Sequence, residues 1–325
     1  MFKNPPPPDP QIEVPHFSSV TTATADAVLE AERRGVQPVP HEPAFDVQPT
    51  LDLPAPGPAP AMPAWLTALD AAAATDVEQA LNGLLLALAD DEFILGYRNS
   101  EWTGIAPMLE EDVAFSSMSQ DEIGHARLFY SLLGARIGVD MDQVAYGRPP
   151  AGFRNAQFLE MPRTNWAFTL ARQYLYDQYD QLRLAALAHS QWAPLAEVIG
   201  KIQREEKYHA MHGTTWMHRL AENTPDARAR LEAALPGAWS AALGLFEPLP
   251  GEALLIQAGY LLGTAAELQA AWLDRVGSFL RELGLAVPPP VTGARGGRQG
   301  QHSADFAALW DELTIVYRID PGAKW

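Results

Sequence analysis

The chain has 325 residues, 47% of them hydrophobic, and a formal charge of −17. That length and apolar content suffice for one large core without covalent staples. The absence of cysteine excludes disulfides, thiolate zinc sites, cysteine nucleophiles and a cysteine-bound iron–sulfur cluster, and the acidic balance argues against a nucleic-acid partner, which needs a basic face to displace phosphate counterions.

Met1-Phe2-Lys3-Asn4 and the prolines after them lack the apolar core of a signal peptide, and no later run is long and uncharged enough to span a bilayer. A soluble, cytoplasmic protein is expected. Fifteen of the 28 prolines fall before Ala64, too dense for regular structure. Residues 1–64 are therefore expected to be an extended arm or linker, with room for one short helix over 24–34, and residues 65–325 a single helical domain.

Within that domain the first core helix is expected over about 75–98. Thr75 and Glu78 have capping-box spacing, and Val77, Leu81, Leu84, Leu88 and Leu95 recur at helical period with Glu92 on their stripe. A second helix, about 107–133, takes Pro107 as its first position and Gly134 as its cap. Its inward stripe is Met108, Phe115, Met118, Glu122, His125, Phe129 and Leu132. The acids Glu110, Glu111 and Asp112 sit in its first turns, where the helix dipole favours negative charge.

Residues 135–163, rich in Gly and Pro, form the long crossover that joins two antiparallel helix pairs in a ferritin-like bundle. The third helix, about 165–190, aligns Trp166, Leu170, Tyr174, Asp177, Leu184 and Leu187. The fourth, about 195–221, aligns Leu195, Ile199, Ile202, Glu206, His209, Gly213, Trp216 and Leu220. Extra helices are expected at about 252–283 and 303–317. Between them a glycine-rich stretch carries Arg295 and Arg298, read as a solvated connection, with anion binding as the alternative.

Two of these helices carry the same pattern, Asp121-Glu122-Ile123-Gly124-His125 and Glu205-Glu206-Lys207-Tyr208-His209. Residues three apart share a helix face, so each Glu-x-x-His can grip a metal from one side. Glu92 stands 30 residues before Glu122 and Asp177 stands 29 before Glu206, so one unit, a carboxylate helix followed by a Glu-x-x-His helix, occurs twice. Four-helix carboxylate proteins build dinuclear iron or manganese centres from this inventory. All six residues lie on apolar stripes, where four carboxylates need cationic compensation. The expected ligands, and through the metal the catalytic residues, are Glu92, Glu122, His125, Asp177, Glu206 and His209. Asp121 and Glu205 are expected to accept from the outer ring nitrogens of the histidines.

Several stretches then carry a family resemblance: Asp91-Glu92-Phe93-Ile94-Leu95-Gly96-Tyr97-Arg98-Asn99-Ser100-Glu101-Trp102, Pro107-Met108-Leu109-Glu110-Glu111-Asp112, Leu170-Ala171-Arg172-Gln173-Tyr174-Leu175-Tyr176-Asp177, and Gly297-Arg298-Gln299-Gly300-Gln301-His302-Ser303. The chain from about Leu84 onward resembles the phenylacetyl-CoA epoxidase (phenylacetyl-CoA oxygenase) family, most of all its C-type (PaaC) subunits. That resemblance implies a ferritin-like component of a multisubunit diiron monooxygenase of aerobic phenylacetate degradation. It also implies an A-type oxygenase partner, a small accessory component, a separate reductase supplying electrons, O2 as co-substrate and an acyl-CoA substrate epoxidised on its ring. In the family the A-type subunit carries the diiron site and the C-type is a structural partner that has lost ligands. This chain resembles the C-type by motif and the A-type by ligand inventory. A scaffold role with an idle ligand set, and a stand-alone ferritin-like iron or manganese oxidase or store, are the alternatives.

Overall fold

The computed structural model describes residues 54–70, 76–291 and 295–323. The reading of 24–34 as a helix, and Thr75, lie outside the described residues. Among those residues there are eleven α-helices and no strand. They are α1 (Ala64–Asp70), α2 (Val77–Ser100), α3 (Leu109–Ile137), α4 (Met141–Tyr146), α5 (Gln157–Glu160), α6 (Trp166–Leu187), α7 (Ala193–Glu222), α8 (Pro225–Ala242), α9 (Glu252–Gln257), α10 (Ala265–Glu282) and α11 (Phe306–Ile319). The architecture is an all-α, ferritin-like bundle: α2 packs along α3, α6 along α7, and α3 meets α7 to close it.

Local chemistry sets the helix ends, and in several places it moves them from the expected positions. The α2 cap is Asp76, whose side chain accepts from the Gln79 N–H at 2.9 Å, so the capping oxygen comes one residue beyond Thr75. Helix α3 begins at Leu109 with Met108 as its N-cap, so Pro107 precedes the helix instead of opening it. At its other end the left-handed residue is Gly138 (φ 69°), not Gly134. Gly134 is helical, and its carbonyl accepts from the Gly138 and Val139 N–H groups. A side chain at Gly134 would put Cβ 2.6 Å from the Val139 carbonyl oxygen, which explains the glycine without a capping role.

Helix α8, including an internal Pro236, is absent from the sequence expectation, and the expected 252–283 helix is two helices, α9 and α10. Gly259 (φ 70°) and Gly263 (φ 83°) divide them, and this turn is tied to the end of α6 and the loop after it. Leu262 N–H donates to the Ala186 carbonyl at 3.0 Å and Gln191 N–H to the Gly259 carbonyl at 2.9 Å. Residues 54–63, expected in the arm, belong to the folded unit: Gly57 N–H donates to the Arg318 carbonyl at 3.0 Å, and Arg318 Nη1 donates back to the Gly57 carbonyl at 3.1 Å.

Helix α2 is buried on all sides, with Leu81, Leu85, Leu88 and Leu95 almost fully enclosed; each such side chain contributes roughly 1.5–3 kcal/mol. Its three consecutive acids, Asp90, Asp91 and Glu92, are also fully buried. Successive helical residues point about 100° apart, so these three carboxylates face different neighbours. Asp90 accepts from both Arg148 Nη atoms (2.6 and 2.9 Å), Tyr130 Oη (2.6 Å) and the Arg154 backbone N–H (2.6 Å). Asp91 accepts from the Ala156 N–H at 2.9 Å. The crossover is thus held against α2 by two carboxylates that bind its backbone and its arginine.

Arg298, expected in a solvated or anion-binding loop, is buried and bidentate on Asp91 at 2.8 Å from each Nη. An acid already enclosed in α2 requires a cation, and the glycine-rich stretch supplies it from 207 residues away.

Candidate metal centre

Glu92 lies on α2, Glu122 and His125 on α3, Asp177 on α6, and Glu206 and His209 on α7. All six are buried. Glycines allow the helices to close around them. A Cβ on Gly96, one turn past Glu92, would stand 3.0 Å from the Glu122 Cβ. A Cβ on Gly213, one turn past His209, would stand 2.9 Å from Asp177 Oδ2 and 3.3 Å from the Tyr174 Cα.

His125 Nδ1 is 3.4 Å from Glu206 Oε1, 3.6 Å from Glu122 Oε2 and 3.7 Å from Glu92 Oε2. His209 Nδ1 is 3.0 Å from Glu206 Oε1 and 3.3 Å from Glu122 Oε1. Glu122 and Glu206 therefore sit between two imidazoles whose centroids are 6.3 Å apart. Ligand atoms of Glu92, Glu122, His125 and Glu206 all lie within 4.8 Å of one another, a group able to hold one metal ion. Asp177 and His209 stand outside that group; His209 touches Glu122 and Glu206, while Asp177 is held aside by Gln173 Nε2 on its Oδ1 at 2.6 Å. Asp177 is one methylene shorter than the Glu at the matching position of the first half.

The outer ring nitrogens cross between helices. His125 Nε2 meets Glu205 Oε2 of α7 at 2.8 Å, and His209 Nε2 meets Asp121 Oδ2 of α3 at 3.4 Å. With a metal in place and Nε2–H donating outward, each Nδ1 would turn its lone pair to the centre, whereas without one the surrounding carboxylates favour the protonated imidazoles.

The pattern of unmet hydrogen-bonding atoms is informative. Glu92 Oε1 accepts from Tyr176 Oη at 3.0 Å and is ion-paired to Arg183, while its Oε2 has no partner. Asp177 likewise has one oxygen bonded and Oδ2 unpartnered. Glu122 and Glu206 have both oxygens unpartnered, and both histidine Nδ1 atoms are unpartnered. Buried polar atoms without partners are rare because each costs about 1–3 kcal/mol. Eight of them come from these six residues and call for compensating positive charge, and the four grouped residues could hold a cation there.

The electrostatics carry the same strain. Burial first, and Glu206 second, push Asp177 well above the usual carboxylate range. Burial and the Glu122 charge push Glu206 up to about 7, and burial with the Glu92 charge raises Glu122. Burial would raise Glu92 too, but its Glu122 neighbour, Arg183 and His125 outweigh it, and its pKa is lowered. Burial opposes the His125 cation, yet Glu122 and Glu92 push that imidazole up to about 12. His209 is raised by Asp121, Glu122 and Glu206 against the same desolvation.

The sequence expectation does not include Arg183, which is buried and also bonds Asp91 (Nη1, 2.9 Å) and Asp180 (Nε, 2.8 Å). A signal for it exists in the sequence: Tyr176, Asp180, Arg183 and Leu187 recur at helical spacing, a charged pair on a face beside Asp177.

A family model described as phenylacetic acid catabolic protein matches residues 66–325. The chain is 30% identical over 246 residues to the C-type subunit of the 1,2-phenylacetyl-CoA epoxidase of Escherichia coli (strain K12), covering 75% of this chain and 99% of that protein. It is 24% identical over 206 residues to the A-type subunit of the same organism's epoxidase, covering 62% of this chain and 66% of that one.

Proposed function

We propose, from the premise that the chain belongs to the phenylacetic acid catabolic protein family, that it is a component of a phenylacetyl-CoA epoxidase complex and holds a dinuclear metal centre of its own. The observation that carries this reading is the set of eight unpartnered buried atoms on Glu92, Glu122, His125, Asp177, Glu206 and His209, four of which residues bring ligand atoms within 4.8 Å of one another. Carboxylates and imidazoles suit iron and also accept manganese. A pair of iron ions held there would supply the reductive O2 chemistry that ring epoxidation requires, with electrons from a separate reductase. The chain's own residues do the holding: Arg183 and Tyr176 fix Glu92, Gln173 fixes Asp177, and Asp121 and Glu205 orient the two imidazoles. The partners on this reading are an A-type oxygenase chain and the other members of the complex. Among the described residues no helix is long and apolar enough to cross a membrane.

Elemental analysis of the purified protein from iron-supplemented medium tests the centre. About two iron atoms per chain are expected, and none in a Glu122→Ala, Glu206→Ala double variant. A metal-free parent that gains no metal with its partner present would overturn the reading.

Loading should also depend on pH in a definite direction. Glu206 is raised from 4.5 to about 7 in the metal-free protein, so its contribution to stability is fully present below about pH 4.5 and lost as pH rises through about 7. Metal binding replaces the proton and removes that loss. The gain in Tm on adding iron or manganese is expected to grow between about pH 5 and 8; a gain that is flat or shrinks with pH would contradict the site.

A specific observation favours a scaffold role as the second reading. Arg183 already places a cation on Glu92, and Asp177 lies outside the four-residue group.

A further inference from the structure

Three side chains lead from a buried cation to Asp177. Arg172, on α6, is fully buried, and its hydrogen bonds go to neutral oxygens: Nη1 donates to the Met161 carbonyl at 2.8 Å and Nη2 to Asn99 Oδ1 of α2 at 3.3 Å. Asn99 Nδ2 donates to Gln173 Oε1 at 2.8 Å, and Gln173 Nε2 donates to Asp177 Oδ1 at 2.6 Å. Asn99, Gln173 and Asp177 are as fully buried as Arg172.

The chemistry of the groups sets the direction of this chain. A guanidinium has donors and no acceptor, so it holds the Asn99 oxygen toward itself. Asn99 then has only its nitrogen to offer Gln173, and Gln173 only its nitrogen to offer Asp177. Hydrogen bonds aligned in one sense polarise one another in a low-dielectric interior, and the last of them, ending on a carboxylate, is stronger than a neutral pair. Burial, and then Arg98, lower the Arg172 pKa to about 10, so the cation at the head persists at neutral pH.

The foot of the chain is where the candidate centre is least symmetric. Glu92 and Asp177 each have one oxygen bonded and one without a partner. Glu92 nevertheless belongs to the group whose ligand atoms lie within 4.8 Å of one another, and Asp177 does not. The free Asp177 Oδ2 lies against α7 one turn past His209, where a Cβ on Gly213 would stand 2.9 Å from it. An aspartate is a methylene shorter than a glutamate, so a donor that fixes one of its oxygens also fixes the reach of the other.

We propose that Arg172, Asn99 and Gln173 are positioning residues that hold Asp177 back from the centre, so that the chain loads metal in two unequal steps, first among Glu92, Glu122, His125 and Glu206, and then beside His209 once Gln173 releases Asp177. The proposal rests on the functional reading above and adds to it an order of loading. The second ion must break a charge-assisted hydrogen bond that the first leaves intact.

Calorimetric titration of the metal-free full chain with manganese(II), and with iron(II) under argon, tests it, with electron paramagnetic resonance of the manganese samples as the second readout. The parent is expected to take a first ion with the signal of an isolated manganese. A second should follow at least about tenfold more weakly, the equivalent of about 1.4 kcal/mol, its arrival broadening the signal through the neighbouring ion. Gln173→Leu, which fills similar space without a donor, should tighten the second step at least about tenfold and leave the first unchanged. Asp177→Glu, which adds the missing methylene with the hydrogen-bond chain intact, should also tighten the second step, and it decides the matter where Gln173→Leu does not fold. Asp177→Ala should lose the second step and keep the first. A purely structural role for Gln173 would lower the melting temperature of Gln173→Leu without moving the ratio of the two steps. Two equal steps in the parent, or a second step that neither Gln173→Leu nor Asp177→Glu tightens or produces, overturns this inference while the metal-holding reading stands. A parent that takes up neither ion, alone or with its A-type partner, sinks that reading and this inference with it.

Discussion

Replacing Glu206 by alanine in the reconstituted complex is expected to remove metal from this chain and to lower ring epoxidation by more than about 100-fold, beyond the roughly 10–100-fold typical of residues that only support a ligand. The size of the effect follows from position. Glu206 Oε1 lies 3.4 Å from His125 Nδ1 and 3.0 Å from His209 Nδ1, so this one side chain serves both halves of the site, and both its oxygens lack any other partner. On the dinuclear reading, its removal would take away a carboxylate that faces both histidines. The folded state should survive, because the variant relieves a buried charge pushed up by burial and by Glu122. Metal content, circular dichroism and turnover measured together separate the two readings of the chain. If the chain is a scaffold whose ligand set is idle, the complex turns over normally with the variant, and the metal-holding role assigned here fails. Glu205→Gln gives a graded comparison: it keeps the size of the His125 Nε2 partner and should cost only about 10–100-fold in metal affinity.

What is legible in the sequence and what is not divide along one physical line. Periodicity reports which residues share a helix face, and that suffices to pair Glu122 with His125 and Glu206 with His209 and to place Glu92 and Asp177 at matching intervals. The crossed contacts of Asp121 with His209 and of Glu205 with His125 also involve the two acids singled out by position, although which imidazole each meets depends on how α3 faces α7. Buried charge is less legible. Asp90 and Asp91 have no partner that the local sequence could indicate, because Arg148 and Arg298, which bond them, lie 58 and 207 residues away. Helix α8 is hidden from a periodicity reading because Pro236 interrupts its pattern, and the α9–α10 break because Gly259 and Gly263 act through left-handed backbone angles that a composition window does not register. Helix existence follows from local pattern, whereas helix ends and ion pairs follow from tertiary neighbours.

The largest expected loss of stability comes from Asp91→Ala. Asp91 is fully buried and joins three separated parts of the chain: Arg298 donates to both of its oxygens at 2.8 Å, Arg183 Nη1 donates at 2.9 Å, and the Ala156 N–H donates at 2.9 Å. Truncation leaves two enclosed guanidinium groups short of countercharge, and Arg298, whose pKa is raised by Asp91 against desolvation, keeps its proton. Breaking a buried ion pair by removing one partner costs about 3–5 kcal/mol, well above the worth of a surface bridge. Urea unfolding of the full chain should therefore show the Asp91→Ala stability falling by that amount, with Arg230→Ala, whose Asp226 partner is exposed, changing by less than about 1 kcal/mol. An Asp91→Leu, Arg298→Met double variant should recover part of the loss, since it removes one of the stranded cations along with the acid. Arg183 retains Glu92 and Asp180 in that background. The recovery therefore isolates the Arg298 share, and an Asp91→Ala variant as stable as the parent would mean that water already screens this pair.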